Sequence, residues 1–173
     1  EKQNKILFVG NIKKHKGLFV LINAFINAKK SGYTPNLVIV GNAENFRTSD
    51  NSVFSLIESA PKDSIEFTGR ISDNELKELY KTSKLLVQPS FYEGFGMPPL
   101  EAMSLGTKAV ISDIPVFKEI YKDFPVIFFK TGDSDDLANK LIQSEKQIEE
   151  KFDFPKIYSF EKTFNIIQNT LEI

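Results

Sequence analysis

Two carboxylates, two glycines and two prolines sit together between Ser90 and Met103, in the run Ser90-Phe91-Tyr92-Glu93-Gly94-Phe95-Gly96-Met97-Pro98-Pro99-Leu100-Glu101-Ala102-Met103. Pro98 and Pro99 suit the first turn of a helix beginning near Met97, where a missing N–H removes no intrahelical bond. The start of that helix carries a positive dipole end and unpaired amides, which can hold an anion such as a diphosphate by backbone alone. Gly94 and Gly96 lack Cβ atoms, so a ligand can approach the chain closely there. Glu93 and Glu101 bracket this cradle, each able to accept hydrogen bonds from hydroxyls.

The Glu-x7-Glu spacing, with Gly-Phe-Gly and Pro-Pro inside it, resembles the signature of retaining group 1 glycosyltransferases of the GT-B fold, in their C-terminal donor-binding domain. The likeness continues through Glu101-Ala102-Met103-Ser104-Leu105-Gly106-Thr107 into Ala109-Val110-Ile111-Ser112-Asp113, and spans Ile6 to Asp133 overall. It implies transfer of a sugar from a nucleoside diphosphate sugar to an acceptor with retention of anomeric configuration. By the same resemblance Gly94 belongs to the donor-binding loop, the amides of Phe95, Gly96 and Met97 hold the diphosphate, and Glu101 accepts bonds from the ribose hydroxyls. Glu93 then lies nearest the reacting centre, as a catalytic residue beside the donor sugar or its phosphate. No cofactor is implied beyond the donor substrate, and no metal.

The first strand-to-helix turn reads Gly10-Asn11-Ile12-Lys13-Lys14-His15-Lys16-Gly17. It matches neither Gly-x-Gly-x-x-Gly nor Gly-x4-Gly-Lys-Ser/Thr, which removes the main sequence support for redox dinucleotide binding and for P-loop hydrolysis. A compact ammonium at a strand end pairs well with a diphosphate and stabilises charge on a departing phosphate. Lys16 matches the family lysine in this second catalytic role. Asn11 stands where the family usually has arginine, so weaker diphosphate binding, or compensation by Lys14, His15 or Arg70, is expected. Arg70, in Phe67-Thr68-Gly69-Arg70-Ile71-Ser72, belongs to the loop that in the family meets the nucleotide base.

Other constellations carry less. Asp133-Ser134-Asp135 has the form of a metal-binding triplet, but acids in a first helical turn are favoured by the dipole alone, and a structural role is expected. His15 is the sole histidine, which leaves no material for a serine-histidine triad or a histidine-rich metal site. Phe91, Tyr92, Phe128 and Phe129 read as core and loop packing.

The positioning elements follow from apolar runs. Strands are expected at Lys5–Val9, Asn36–Val40, Ser64–Phe67, Leu85–Val87, Ala109–Ile111 and Pro125–Phe129, short runs that are mostly apolar rather than alternating, as strands covered on both faces are. Helices are expected over Leu18–Lys30, with Leu18, Leu21, Ile22 and Phe25 on one face, and over Asp73–Lys81, where Ser72 and Glu75 form a capping box and Leu76, Leu79 and Tyr80 turn inward. A further helix spans Asp136–Glu150, with Leu137, Leu141 and Ile148 inward, and Asn42–Asn51 reads as a polar surface loop. The alternation predicts an α/β fold: a Rossmann-like doubly wound parallel sheet of about six strands, one half of a GT-B enzyme, with ligands at the carboxyl ends of the strands.

At 173 residues, the chain suits one domain, residues 1–173. The balance of 22 basic and 23 acidic residues leaves a net charge of −1, and so no global footprint for nucleic acid. With no cysteine, disulfides and thiolate metal sites are excluded. No apolar run approaches the roughly 20 residues of a membrane helix. Cytoplasmic localisation is the default, and peripheral membrane association of the full-length enzyme is compatible with the sequence.

The opening without methionine reads as an excised part of a longer protein, so an N-terminal acceptor-binding domain is an expected partner. The stripe Phe160, Phe164, Ile167 and Leu171 marks residues 158–173 as a helix packing toward it. The Gly10–Gly17 turn is similar to those of mannosyl- and rhamnosyltransferases that build bacterial surface polysaccharide. Two rivals stand beside this reading: a non-catalytic nucleotide-sugar-binding module, and another GT-B enzyme such as a nucleotide-sugar epimerase or a phosphorylase.

Overall fold

A computed structural model describes residues 1–11, 13–41 and 51–145. The expected loop at residues 42–50, Arg47, Ile148 and the stripe at 158–173 lie outside the described residues. Strands and helices alternate as β1 (Lys5–Val9), α1 (Leu18–Lys30), β2 (Asn36–Val40), α2 (Asn51–Ser59), β3 (Ile65–Phe67), α3 (Asp73–Thr82), β4 (Leu85–Gln88), α4 (Met97–Ser104), β5 (Lys108–Ser112), α5 (Pro115–Ile120), β6 (Ile127–Phe129) and α6 (Ser134–Glu145). The six strands form one sheet in the order β3-β2-β1-β4-β5-β6, and every neighbouring pair is parallel. This is the doubly wound sheet that the apolar runs predict.

Both faces of the sheet are covered because successive strand residues point opposite ways. In β1, Ile6 and Phe8 pack with apolar residues of α1, α2 and α6, while Leu7 packs with Tyr80, Leu100 and Phe117 of α3, α4 and α5. The inward stripe of α1 is fully formed, with Leu18, Leu21, Ile22 and Phe25 all buried. At α3, the Ser72 hydroxyl accepts from the Glu75 N–H and the Glu75 carboxylate accepts from the Ser72 N–H, completing the expected capping box.

Two helices go beyond the sequence reading. In α2, Val53, Leu56 and Ile57 lie at i, i+3, i+4 and pack on the α1 side of the sheet. α5 is six residues long, begins at Pro115 and buries Phe117 and Ile120. Each is too short for a full period of apolar residues to stand out.

The site is positioned by the middle of the sheet. β1 leads into α1 on one face and its neighbour β4 leads into α4 on the other, so the loops that follow these strands part and leave a crevice between them. The two loops touch at one very tight point. Gly17 has φ of +70°, and a Cβ there would lie 1.9 Å from the Pro89 carbonyl oxygen. Gly17→Ala is therefore expected to lower stability by more than about 2 kcal/mol, combining left-handed backbone strain with a backbone clash. Urea denaturation measures this, and wild-type stability in the variant would show that the two loops can separate freely.

Candidate functional site

The exit of β4 is held by bonds that do not involve the side chains of Lys16 or Glu93. The Ser112 hydroxyl donates to the Ser90 carbonyl at 2.6 Å, and the Phe91 N–H donates to the His15 carbonyl at 2.8 Å. The second bond ties this loop to the Lys14–Lys16 3-10 turn that follows β1. Above it the His15 and Tyr92 rings stack, with centroids 4.4 Å apart and planes 20° from parallel. Tyr92 is 64% exposed and Phe91 45%, so of the core and loop packing expected these two rings supply the loop part, Tyr92 on His15 and Phe91 at Gly132. They sit on a loop at the strand ends, where there is no second layer to cover them. Phe129 is buried, as expected.

Between these loops Lys16 meets Glu93. The Lys16 ammonium donates to Glu93 Oε1 at 2.7 Å and to Oε2 at 2.8 Å, with the side chains only 19% and 9% exposed. Oε1 also accepts from the Ser90 hydroxyl at 2.7 Å and from Gln88 Nε2 at 3.0 Å. Burial pushes the Glu93 carboxyl up, but the bonds from Lys16 and Ser90, the Lys16 charge and the Gln88 amide outweigh it and hold the group below the ordinary glutamate value. Glu93 is thus ionised and fixed in direction.

The start of α4 lies beside this pair. Gly96 has φ of +82°, a Cβ there would meet Phe117 Cε1 at 2.4 Å, and the Tyr121 hydroxyl donates to the Gly96 carbonyl. Only glycine fits that turn. Met97 opens the helix and the two prolines follow it, which removes two of the amides that a helix end otherwise presents. The cradle is accordingly narrower than a full first turn, with the Gly96 and Met97 N–H groups as its helix-end donors. Gly94, Phe95 and Met97 are exposed on the loop.

Glu101 lies one turn further on, turned toward α3. It accepts from the Tyr80 hydroxyl at 2.7 Å, and burial together with this bond pushes the Tyr80 phenol well up. Around it is a hollow of about 400 Å³ lined by Leu76, Lys77, Tyr80, Glu101, Ser104 and Leu105. The two acids therefore have separate partners, Glu93 across the sheet midline and Glu101 toward α3. Asn11 and Arg70 are both exposed at strand exits. The Arg70 loop is anchored to β2 by the Gly69 N–H, which donates to the Gly41 carbonyl at 3.1 Å.

Asp133 caps α6, its Oδ1 accepting from the N–H groups of Asp135 and Asp136 at 3.1 and 3.0 Å, while Asp135 accepts from the Asn27 amide at 3.1 Å. Among the described residues no cluster of three or more His, Cys, Asp or Glu could hold a metal ion. No helix among them is long and apolar enough to cross a membrane. Gln88, Ser90, Tyr80 and Asp113 join the site's supports without having been singled out from sequence. A polar Gln88 at the end of the apolar β4 was the available signal.

Residues 1–154 match the family model described as "Glycosyl transferases group 1". The chain is 40% identical over 121 residues to the O-antigen chain mannosyltransferase RfbU of Salmonella typhimurium, covering 69% of this chain and 33% of that protein. Among solved structures it resembles TarM, with a TM-score of 0.76, 18% identity, and coverage of 97% of this chain and 35% of the other. It also resembles Anabaena Alr3699/HepE, solved in complex with UDP-glucose, with a TM-score of 0.70, 19% identity, and coverage of 84% of this chain and 40% of the other. The chain spans about a third of the length of RfbU and TarM.

The exits of β5 and β6 are joined by Asp113. Its Oδ1 accepts from the Thr131 N–H at 2.9 Å and hydroxyl at 2.7 Å, and Lys118 donates to Oδ2 at 3.0 Å, which together lower its pKa to about 2. An unfolded aspartate titrates near about 3.9, so the folded-state value is depressed and the stabilisation is present above that pH and lost as pH falls toward about 2. Asp113→Asn should therefore lower Tm at pH 7 by a few degrees and leave it unchanged near pH 2. Calorimetric melts across this range check it; an equal loss at both ends would place the stabilisation outside the carboxylate's charge.

Proposed function

Because this chain belongs to the group 1 glycosyl transferases, we propose that it binds the nucleoside diphosphate sugar donor of a retaining glycosyltransferase acting in bacterial surface polysaccharide synthesis. The observation that carries the reading is the convergence of Lys16 and Glu93 from loops on opposite sides of the sheet's switch point, beside the amides of Gly96 and Met97. Lys16 and these amides hold the diphosphate and stabilise charge on its leaving oxygen as the bond to the sugar breaks. Glu93 is the carboxylate nearest that bond and binds the sugar. Glu101 accepts from the ribose hydroxyls, and the exposed Arg70 loop faces the base. No metal or cofactor takes part.

The named activity of RfbU favours mannose as the transferred sugar and O-antigen as the product class. HepE, a fold neighbour, was solved in complex with UDP-glucose, which supports a nucleotide sugar as the class of ligand. The acceptor site lies on another domain of the full-length enzyme, so this chain alone binds donor with little or no transfer. A second reading, a non-catalytic binding module, has its support in the neutral, exposed Asn11 after Gly10.

Calorimetric titration with UDP, GDP and ADP, and with the corresponding monophosphates, tests donor binding. At least one diphosphate is expected to bind. Lys16→Met should weaken it by about 10- to 100-fold, the worth of a charge-assisted bond, while affecting the monophosphate much less. The absence of binding by every nucleotide would overturn the donor reading. A second outcome concerns turnover: measurable sugar transfer by this chain alone would contradict the assignment of the acceptor site to another domain.

A further inference from the structure

Gln88 is the residue of β4 that an account of stability would not choose. It is 1% exposed in an otherwise apolar strand, and its own Oε1 has no hydrogen-bond partner among the described residues. A valine or leucine would have avoided that cost. What the amide does make are two bonds through Nε2, at 3.0 Å to the Ser90 hydroxyl and at 3.0 Å to Glu93 Oε1. The orientation is dictated by chemistry, since an ionised carboxylate only accepts. Ser90 is fully buried and donates its hydroxyl hydrogen to the same oxygen.

The two oxygens of Glu93 are therefore unequal. Among the described residues Oε1 accepts from Ser90, Gln88 and Lys16, whereas Oε2 accepts from Lys16 alone. A carboxylate oxygen has about two lone-pair directions. If Lys16 turns to an arriving diphosphate, two neutral donors still fill Oε1, and Oε2 is left bare.

Building on the donor reading above, we infer that Ser90 and Gln88 are positioning residues that lock Oε1 of Glu93, so that Oε2 is the oxygen offered to a hydroxyl of the donor sugar. Neither touches the sugar, because both are buried beneath the carboxylate. Their role is also separable from holding the loop. The backbone there is tied by the Ser112 hydroxyl on the Ser90 carbonyl, by the Phe91 N–H on the His15 carbonyl and by the Gly17 contact with Pro89, none of which uses the Ser90 hydroxyl or the Gln88 amide.

The test compares wild type with Ser90→Ala, Gln88→Leu and Ser90→Thr by calorimetry, using GDP against GDP-mannose and UDP against UDP-glucose. For whichever pair binds, the ratio of sugar-nucleotide affinity to bare-diphosphate affinity should fall about tenfold in Ser90→Ala and Gln88→Leu, as expected for misdirecting one charged hydrogen bond. Affinity for the bare diphosphate should change less than about twofold, and Ser90→Thr, which keeps the hydroxyl, should restore the ratio. A uniform loss for both ligands, or an unchanged ratio in both variants, overturns the inference and leaves the donor reading standing. No binding of any of the four ligands by wild type overturns both. Should Ser90→Ala fail to fold, Gln88→Leu carries the same comparison, because it replaces a buried side chain by one of similar size.

Discussion

The passage of Gly17 under the Pro89 carbonyl is the constraint on which the site rests. The crossovers from β1 and β4 leave the sheet in opposite directions, and without a point of close approach their loops would diverge into solvent. With no Cβ at Gly17 the two backbones come within a distance that no other residue permits. Lys16 precedes that contact and Glu93 lies four residues beyond Pro89, so groups 77 residues apart in the chain reach hydrogen-bond distance. The Gly96 turn, pressed on Phe117, then sets the start of α4 next to them.

That arrangement places a nearly covered carboxylate where burial pushes its pKa up, and the fold answers with donors rather than with exposure. Lys16 supplies the charge, and Ser90 and Gln88 supply neutral donors that remain when the charge is engaged elsewhere. Glu101 has its partner on a different element, the buried Tyr80 hydroxyl of α3. The two acids of the Glu-x7-Glu pattern thus stand on separate supports, with the rigid Met97-Pro98-Pro99 start of α4 between them. The prolines remove two of the amides that a helix end otherwise presents while fixing the direction of the start of α4.

Much of this was legible in the residues. Apolar runs marked the strands, and Ser72 with Glu75 marked a helix start, because these signals act within a few residues of chain. α2 and α5 escaped notice because nine and six residues give too few turns for a periodic face to stand out. For Phe91 and Tyr92 the sequence left core and loop packing undivided, because an aromatic type reports size and apolarity, not whether a second layer covers it. Gln88, Ser90 and Tyr80 were missed as supports because their bonds depend on which strands and helices become neighbours.

The amino-acid sequence alone determined the six strands and the helices α1, α3, α4 and α6 in their order, the capping of α3, the proline-led start of α4 and the pattern that marks the family. All of these are local properties, set by dihedral preference, periodicity and spacing along one segment. Only the tertiary structure decided that β1 and β4 lie side by side, that Lys16 closes on Glu93, that Glu101 turns to Tyr80 and that the Glu93 oxygens are unequal. Those outcomes are contacts between segments tens of residues apart, which arise when both faces of the sheet are buried together and no single segment encodes its partner.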